Sequence, residues 1–260
     1  MIGHAHARAS GGRFRLRIED LDPGRCRPEF IAGIFEDLAW LGLTVDGEPI
    51  VQSERTHLYQ KALDRLKSDG LVYACFCTRA EIAQSLTAPH GDSGTQYPGT
   101  CRPLSDDPAR RTTTPHCWRL HSAKALDAAG LPGWTESDGT RFASKPGDFG
   151  DAILARKDAP SSYHLACVVD DAASRVNMVV RGEDLRPSTP TQRLLQILLD
   201  LPEPTYLHHA LVTHEDGRRL AKRDLAPTLA AMREQGVDGR ALAAQLLEGQ
   251  LPLGFRLSGA

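Results

Sequence analysis

Hydrophobic and polar positions change period along the first third of the chain. Residues 13–18 alternate between arginine and an apolar residue, which is the period of a half-buried strand. Apolar residues then recur at helical spacing after Pro28 and stop at Gly42, and a second helical run extends from about residue 55 to Ser68. The pattern therefore predicts one strand followed by two helices.

Short apolar runs indicate further strands in the rest of the chain. They cover residues 71–76, 118–120, 152–154, 165–169, 176–180 and 207–212. The runs at 165–169 and 176–180 contain β-branched residues and suit central strands. Proline, glycine, serine and aspartate crowd residues 87–108, which predicts a loop. A helix is predicted to begin at Thr189 and Pro190, and short helices are predicted over residues 226–260.

Helices and apolar strands thus alternate at both ends of the chain, around a middle that is rich in loops. This order favours a doubly wound α/β domain that is split by an inserted subdomain. The chain has 260 residues, of which 41% are apolar and 25% charged. That composition is ordinary for a globular protein, and the length is sufficient to bury a core without disulfides.

The formal net charge of the chain is −2. A nucleic-acid partner would have to bind local basic patches, because the surface as a whole is not basic. The sequence contains no apolar run long enough to cross a bilayer and no readable signal peptide. We therefore expect a cytoplasmic protein.

Three of the six cysteines are clustered. Cys75 and Cys77 are separated by one residue, and Cys101 lies within the predicted loop. In a chain without a secretory signal, clustered cysteines indicate a metal rather than disulfides, and zinc prefers four ligands including soft sulfur donors. Tyr97 and His90 are the alternatives for the fourth ligand. We expect a structural site, because no general base is nearby; the alternative is three separately buried free cysteines.

Two charged segments are candidates for binding. Glu19 follows the first predicted strand, where doubly wound sheets bind their ligands, and its carboxylate could hold a substrate ammonium group. Residues 216–224 form a turn and a cationic loop in which Lys222 could stabilise charge on phosphates. The ordinary alternatives are a polar residue leaving a strand and a solvated basic loop.

Four motifs, in this order, resemble the glutamyl-Q tRNA(Asp) synthetases, which are shortened relatives of glutamyl-tRNA synthetase without its anticodon-binding region. The motifs are residues 17–22, the Cys-x-Cys…Tyr-x-x-x-Cys cluster, residues 179–185 and residues 219–223. The resemblance covers roughly residues 11–224 and implies a class I synthetase fold, namely a Rossmann-like nucleotide-binding domain split by a zinc-containing insertion. The expected segments are 1–70 and 163–225 for the catalytic domain, 71–162 for the insertion and 226–260 for a helical tail.

The resemblance also implies an activity. ATP, together with Mg²⁺, activates glutamate to glutamyl-adenylate, and the glutamyl group passes to queuosine in the anticodon of tRNA(Asp). We expect the enzyme to act as a monomer. By position, Glu19 resembles the group that binds the amino group of glutamate, Tyr163 a tyrosine that contacts the substrate, and Arg181 the arginine that reads a substrate carboxylate.

The resemblance assigns two further sets of residues. Lys222 matches the second lysine of the ATP-binding signature loop, which is usually Lys-Met-Ser-Lys-Ser, although Arg219 and Ala221 depart from that pattern. The residues that match the family's zinc ligands are Cys75, Cys77, Tyr97 and Cys101. The match favours Tyr97 over His90 as the fourth ligand.

One family signature has no counterpart in this sequence. The His-containing signature that binds ATP at a helix N-terminus is expected further ahead of Gly11 and Gly12 than the sequence extends. We expect His4 and His6 to be ordinary helix residues rather than a replacement. Either the true start of the protein lies upstream of Met1, or the first strand and the signature have been lost; in the second case we expect very poor activation of glutamate. Two other hypotheses stay open: a catalytically impaired tRNA-binding relative and a fragment of a glutamyl-tRNA synthetase.

Overall fold

The computed structural model describes residues 1–22, 24, 26–78, 80–82, 97–104, 107–218, 228–252 and 254–258. Within these ranges the helices are α1 Ile2–Ala9, α2 Pro28–Trp40, α3 Thr56–Ser68, α4 Pro108–Thr113, α5 Ser122–Ala129, α6 Tyr163–Ala173, α7 Thr189–Leu198, α8 Leu229–Glu234 and α9 Gly239–Leu247. The strands are β1 Arg17–Ile18, β2 Ile50–Val51, β3 Val72–Cys75, β4 Cys117–Leu120, β5 Gly133–Thr135, β6 Arg141–Ala143, β7 Ile153–Ala155, β8 Met178–Gly182, β9 Thr205–His209, β10 Val212–His214 and β11 Phe255–Leu257. Short 3₁₀ helices cover Gln52–Arg55, Pro146–Asp148 and Glu183–Ser188.

The chain forms two compact units. Unit 1 comprises Met1–Gln52, Val179–Arg186 and Leu207–Ala260, and unit 2 comprises Ser53–Met178 and Pro187–Tyr206. Each unit is therefore assembled from segments that are distant in the sequence. None of the helices in the described part of the chain has both the length and the apolar character that crossing a bilayer requires.

In unit 1, the C-terminal helices pack against α2. The Arg233 guanidinium in α8 bonds to the carboxylates of Asp37 and Glu36 in α2, at 2.7 Å for Glu36. The indole nitrogen of Trp40 donates to the carbonyl oxygen of Val237 at 3.1 Å. A Cβ atom at Gly239, the first residue of α9, would lie 2.5 Å from the Trp40 backbone oxygen and indole ring. Glycine at this position thus permits the close approach of the two helices.

Two small sheets also belong to unit 1. β1 and β2 pair in parallel, with Arg17 opposite Ile50, and β10 pairs antiparallel with β11. The N-terminal helix α1 lies close to β8, because a Cβ atom at Gly3 would be 3.5 Å from that of Val180. Glu19 directly follows the carboxyl end of β1, as the sequence predicted.

Unit 2 holds the larger hydrophobic core. The sheet has the order β3-β4-β7 with antiparallel pairing, and helices α3, α5, α6 and α7 contribute leucines to the same core. The fully buried Asp170 in α6 accepts hydrogen bonds from the Tyr59 hydroxyl and from Nε of Arg55, both at 2.7 Å. These bonds satisfy the buried carboxylate and tie α6 to α3.

Most of the predicted elements are present, although β1 covers only residues 17–18 of the predicted 13–18, and the run at 207–212 is divided between β9 and β10. Residues 165–169, predicted as a central strand, lie in helix α6. The burial is nearly continuous here, since residues 165–168 and 170 are all buried among α3, α7 and the sheet. A short apolar run of this kind does not distinguish a strand from a buried helix. Short helices are present within residues 226–260 as α8 and α9, while β11 was not predicted.

The expectation for His4 and His6 is confirmed, because both lie in α1. The His4 ring packs edge-on against Phe14, with ring centroids 5.5 Å apart. Its Nε2 lies 3.4 Å from the Thr44 hydroxyl. These contacts give His4 a packing role within unit 1.

Candidate functional site

The clustered cysteines converge at one end of the sheet in unit 2. Cys75 ends strand β3, Cys77 follows two residues later, and Cys101 lies 24 residues after Cys77 in the sequence. Their three sulfur atoms all lie within 4.8 Å of one another, and those of Cys77 and Cys101 are 3.4 Å apart. Cys75 and Cys101 are buried. The alternative of three separately buried cysteines is thus wrong.

Tyr97 is the tyrosine that completes this cluster. Its hydroxyl oxygen lies 3.4 Å from the sulfur atoms of both Cys75 and Cys77, and it accepts a hydrogen bond from the backbone N–H of Cys101 at 2.8 Å. The Arg119 guanidinium stacks over the phenol ring at 3.9 Å from its centroid. His90, the alternative fourth ligand, lies outside the described residues.

The donor set fits a tetrahedral zinc ion. Zinc–sulfur bonds of about 2.3 Å place tetrahedral sulfur ligands about 3.8 Å apart, which falls within the observed range of sulfur separations. Cys75, Cys77 and Cys101 would supply thiolates, and the Tyr97 oxygen is placed to supply the remaining donor. When bound, zinc would cross-link the end of strand β3 to the segment that contains Tyr97 and Cys101, and would thus stabilise the fold.

Without a metal, the pKa values of the Cys75 and Cys77 thiols differ. A hydrogen bond from Cys117, followed by those from Tyr97 and Arg119, outweighs burial and lowers the pKa of Cys75 to about 4. Burial raises the pKa of Cys77 to about 11. Zinc binds the thiolate form, so binding is expected to release the Cys77 proton.

A buried carboxylate holds the Cys101 end of the loop. Asp151 accepts bonds from Nε and Nη2 of Arg102, the residue after Cys101, at 2.9 and 2.7 Å. It also accepts bonds from the Tyr73 hydroxyl and the Ser122 hydroxyl. Burial alone would raise its pKa, but the hydrogen bonds from Tyr73, Ser122 and Arg102 prevail and hold the pKa below its usual range.

Replacing Cys101 with serine is expected to abolish stoichiometric zinc, because a hydroxyl is a much poorer zinc donor than a thiolate. Cys167→Ser is the matched control, because Cys167 is buried in helix α6 of the same unit and is not among the three cysteines whose sulfur atoms converge. Elemental analysis of the purified variants, with thermal unfolding, measures the effect.

Equal zinc content in the two cysteine variants would contradict the assignment of Cys101. The fourth ligand is tested separately by Tyr97→Phe, which keeps the ring under Arg119 but removes the oxygen. We expect Tyr97→Phe to weaken zinc affinity and His90→Ala to leave it unchanged. The reverse order would identify His90 as the ligand.

Glu19 lies directly after strand β1 in unit 1, at the carboxyl end of the parallel β1–β2 pair. Its side chain is 43% exposed, and its Oε1 lies 3.3 Å from Nε of Arg17. Ligands of α/β sheets bind beyond the carboxyl ends of parallel strands. Glu19 thus has the location and the accessibility that binding an ammonium group requires.

Arg181 lies in strand β8 of the same unit and is only 8% exposed. Its Nε is 3.1 Å from Nε2 of His208 in strand β9. With Nε2 accepting from Arg181, the His208 contact fixes the plane of the guanidinium, and an oriented guanidinium is suited to a carboxylate. His208 was not predicted from the sequence, because it meets Arg181 only through the pairing of strands β8 and β9 in a two-stranded sheet.

The other two predicted residues lie outside the described part of unit 1. Tyr163 is the first residue of α6 in unit 2, where it is half-buried and its ring packs edge-on against His164 at 5.8 Å. Lys222 lies outside the described residues, which resume at residue 228 after the Asp216–Arg218 turn. The roles of Glu19, Arg181, Tyr163 and Lys222 all stay predictions.

Comparison with known proteins identifies the family. The family described as "tRNA synthetases class I (E and Q), catalytic domain" matches residues 1–253. A glutamyl-Q tRNA(Asp) synthetase of Rhodobacter capsulatus is 42% identical over 248 residues, which cover 91% of this chain and 88% of the relative. One from Nocardia farcinica is 47% identical over 239 residues, which cover 91% of this chain and 73% of the relative.

Solved structures show the same fold. Glutamate-tRNA synthetase from Elizabethkingia anophelis superposes with a TM-score of 0.76 at 24% identity, over 92% of this chain and 55% of that chain. This chain thus spans about half the length of that synthetase, and the fold is that of class I tRNA synthetases, with mixed α and β content. The chain belongs to the class I tRNA synthetases and, within them, to the glutamyl-Q tRNA(Asp) synthetase family of ligases.

Proposed function

We propose that this protein activates glutamate with ATP and transfers the glutamyl group to queuosine in tRNA(Asp). The observation that carries the proposal is that unit 1 contains two oppositely charged side chains, each in a setting suited to one end of glutamate. Glu19 is a partly exposed carboxylate beyond the end of a parallel strand, and Arg181 is a buried, oriented guanidinium. Glutamate carries the complementary ammonium and carboxylate groups. The names of the most similar relatives agree with this substrate.

The proposed reaction has two steps. An oxygen of the α-carboxylate of glutamate attacks the α-phosphorus of ATP, and pyrophosphate leaves with the electron pair of the broken bond. A nucleophilic group of queuosine then attacks the acyl carbon, and AMP leaves. Mg²⁺ accompanies ATP and neutralises phosphate charge.

The chain's residues contribute binding and orientation in this scheme. Glu19 binds the ammonium group of glutamate. Arg181 binds a carboxylate, and His208 orients its guanidinium plane. Tyr163 contacts the substrate, and Lys222 stabilises the negative charge that develops on the phosphates. Cys75, Cys77, Tyr97 and Cys101 would hold a structural zinc ion, which would take no part in the reaction.

The function is tested by glutamate-dependent exchange of pyrophosphate into ATP, measured without tRNA. The assay uses this chain and a version extended upstream, because the ATP signature is expected ahead of Gly11 and Gly12. Transfer is then measured with labelled glutamate and tRNA(Asp) from cells that do or do not make queuosine. We expect exchange without tRNA and transfer only to the queuosine-containing tRNA.

Other results would select the remaining hypotheses. Exchange that requires tRNA, with glutamate attached irrespective of queuosine, would indicate an ordinary glutamyl-tRNA synthetase activity. Binding of tRNA(Asp) without exchange in either version would indicate a catalytically impaired tRNA-binding protein. Either result overturns the proposal.

A further inference from the structure

A cavity in unit 2 lies on the face of the β3–β4 sheet that the cysteine cluster does not use. Its volume is about 890 Å³, within the usual range for ligand clefts. Aromatic and basic side chains dominate its lining, among them Phe76, His116, Trp118, Lys67, Arg110 and Arg111. Neither the zinc site nor the proposed glutamate site accounts for this combination.

Strand alternation separates the two faces of the sheet. Cys75 of β3 is opposite Cys117 of β4, and Ala74 is opposite Trp118. Successive side chains point to opposite faces, so the Cys75–Cys117 pair lies on one face and the Ala74–Trp118 pair on the other. The small Ala74 leaves room above the sheet, beside the indole ring. The two sites therefore use opposite faces of the same two strands.

The aromatic rings of this face already contact cations. The Arg110 guanidinium lies 4.1 Å from the centroid of the Phe76 ring, and Nζ of Lys67 lies 4.4 Å from that of Trp118. The guanidinium of Arg111 is also over Trp118, at 5.5 Å. These contacts hold flat groups and positive charges side by side on a partly exposed surface.

The charge of the cavity is opposite to that of the chain. Lys67, Arg110, Arg111 and Lys124 line it, against the single carboxylate of Asp107, whereas the whole chain has a formal net charge of −2. Lys67 also pairs with Asp64 at 3.0 Å, but both side chains are solvent-accessible and such pairs are weak. A local excess of cations favours a polyanionic ligand.

We propose that this face, defined by Phe76, His116, Trp118, Lys67, Arg110 and Arg111, binds a single-stranded segment of RNA. Cations neutralise the phosphates, and unpaired bases stack on the rings and on the guanidinium planes. Double-stranded RNA fits this surface less well, because its bases are stacked on each other and unavailable to side chains. The inference rests on the proposed function, in which tRNA is the substrate, and adds a contact surface in the insertion.

The test measures affinity by fluorescence anisotropy with two probes, a tRNA(Asp) transcript and a labelled single-stranded RNA decamer. The double variant Arg110→Glu/Arg111→Glu is expected to weaken binding of both probes at least tenfold. Phe76→Leu keeps an apolar side chain but removes the stacking surface, and we expect it to weaken binding of the decamer about fivefold. The matched control is Arg141→Glu/Lys145→Glu, an exposed pair in the same unit that does not line the cavity.

The control pair is expected to change affinity by less than twofold. Wild-type affinity of the Arg110/Arg111 variant, or an equal loss in the control pair, would overturn the proposal. If Arg110→Glu/Arg111→Glu loses RNA affinity but Phe76→Leu keeps the wild-type affinity, the proposed stacking of bases on Phe76 is wrong. Thermal unfolding of every variant identifies misfolded protein. This test is independent of the proposed function. If the proposed function is wrong, the wild-type protein shows no pyrophosphate exchange, whereas the RNA affinities are measured without that assay.

Discussion

Asp151→Ala is expected to lower the free energy of unfolding by about 3 kcal/mol, because it leaves the donors of Ser122 and Tyr73 without their acceptor inside the protein, at about 1–3 kcal/mol for each unsatisfied group. The Asp151 side chain is fully buried, whereas its partner Arg102 is 36% exposed. Oδ1 of Asp151 accepts from the backbone N–H and the hydroxyl of Ser122 at 3.1 and 2.7 Å, and Oδ2 accepts from Arg102 and the Tyr73 hydroxyl. Alanine would leave these donors without their acceptor and create a cavity.

The loss is expected to be large because the donors come from separate parts of unit 2. Tyr73 lies in β3, Arg102 follows Cys101, and Ser122 begins α5. In a low-dielectric interior, an unsatisfied donor loses its bond to water without replacement. Asp151 thus stabilises the sheet, the helix and the zinc loop together.

Denaturant-induced unfolding at neutral pH measures this prediction. Asp158→Ala is the matched control, because Asp158 pairs with Arg156 at 2.8 Å but is 67% exposed. We expect the control to change stability by less than about 1 kcal/mol, as exposed ion pairs do. Asp151→Asn, which keeps the shape and one acceptor oxygen, is expected to fall between the two. Similar losses for Asp151→Ala and Asp158→Ala would show that the buried network is not important for stability.

Arg181→Lys is expected to reduce kcat/KM for glutamate by about 100-fold, which corresponds to the loss of one to two charge-assisted hydrogen bonds. Lysine retains the positive charge but cannot present two parallel N–H groups to a carboxylate while a third N–H contacts His208. The measurement is glutamate-dependent pyrophosphate exchange over a range of glutamate concentrations. The exposed Arg13, in the same unit, supplies the control Arg13→Lys, which is expected to have wild-type kinetics.

His208→Ala separates orientation from direct binding. We assign His208 as a positioning residue, since its contact is with the Arg181 guanidinium. We expect this variant to raise KM for glutamate severalfold with little change in kcat, because only the orientation of the binding group is lost. Wild-type kinetics of Arg181→Lys in a folded protein would exclude Arg181 as the group that reads the carboxylate.

Local signals in the sequence determined several helices. Pro28 and Pro190 lie in the first turn of α2 and α7, and Gly70 follows α3. These residues act within one turn of the chain, so their effect is readable without knowledge of the fold. The run at residues 165–169 carried no comparable signal. Its helical state was decided by packing against α3 and α7, which buries nearly all of its side chains.

In the candidate sites, too, the sequence predicted some features and the tertiary structure determined the others. The Cys-x-Cys spacing and the motifs around Glu19 and Arg181 were visible in the sequence, and so was the family to which they point. The contacts that organise them join distant positions: Tyr73 to Asp151 across 78 residues, Arg102 to Asp151 across 49, and Arg181 to His208 across 27.

Sequence alone thus determined the residue types available for binding glutamate and zinc. Tertiary structure decided which side chains orient them, and it placed the basic and aromatic face behind the cysteines. The physical reason is that strand pairing and burial depend on segments that meet only in the folded chain, whereas periodicity and helix ends depend on neighbouring residues.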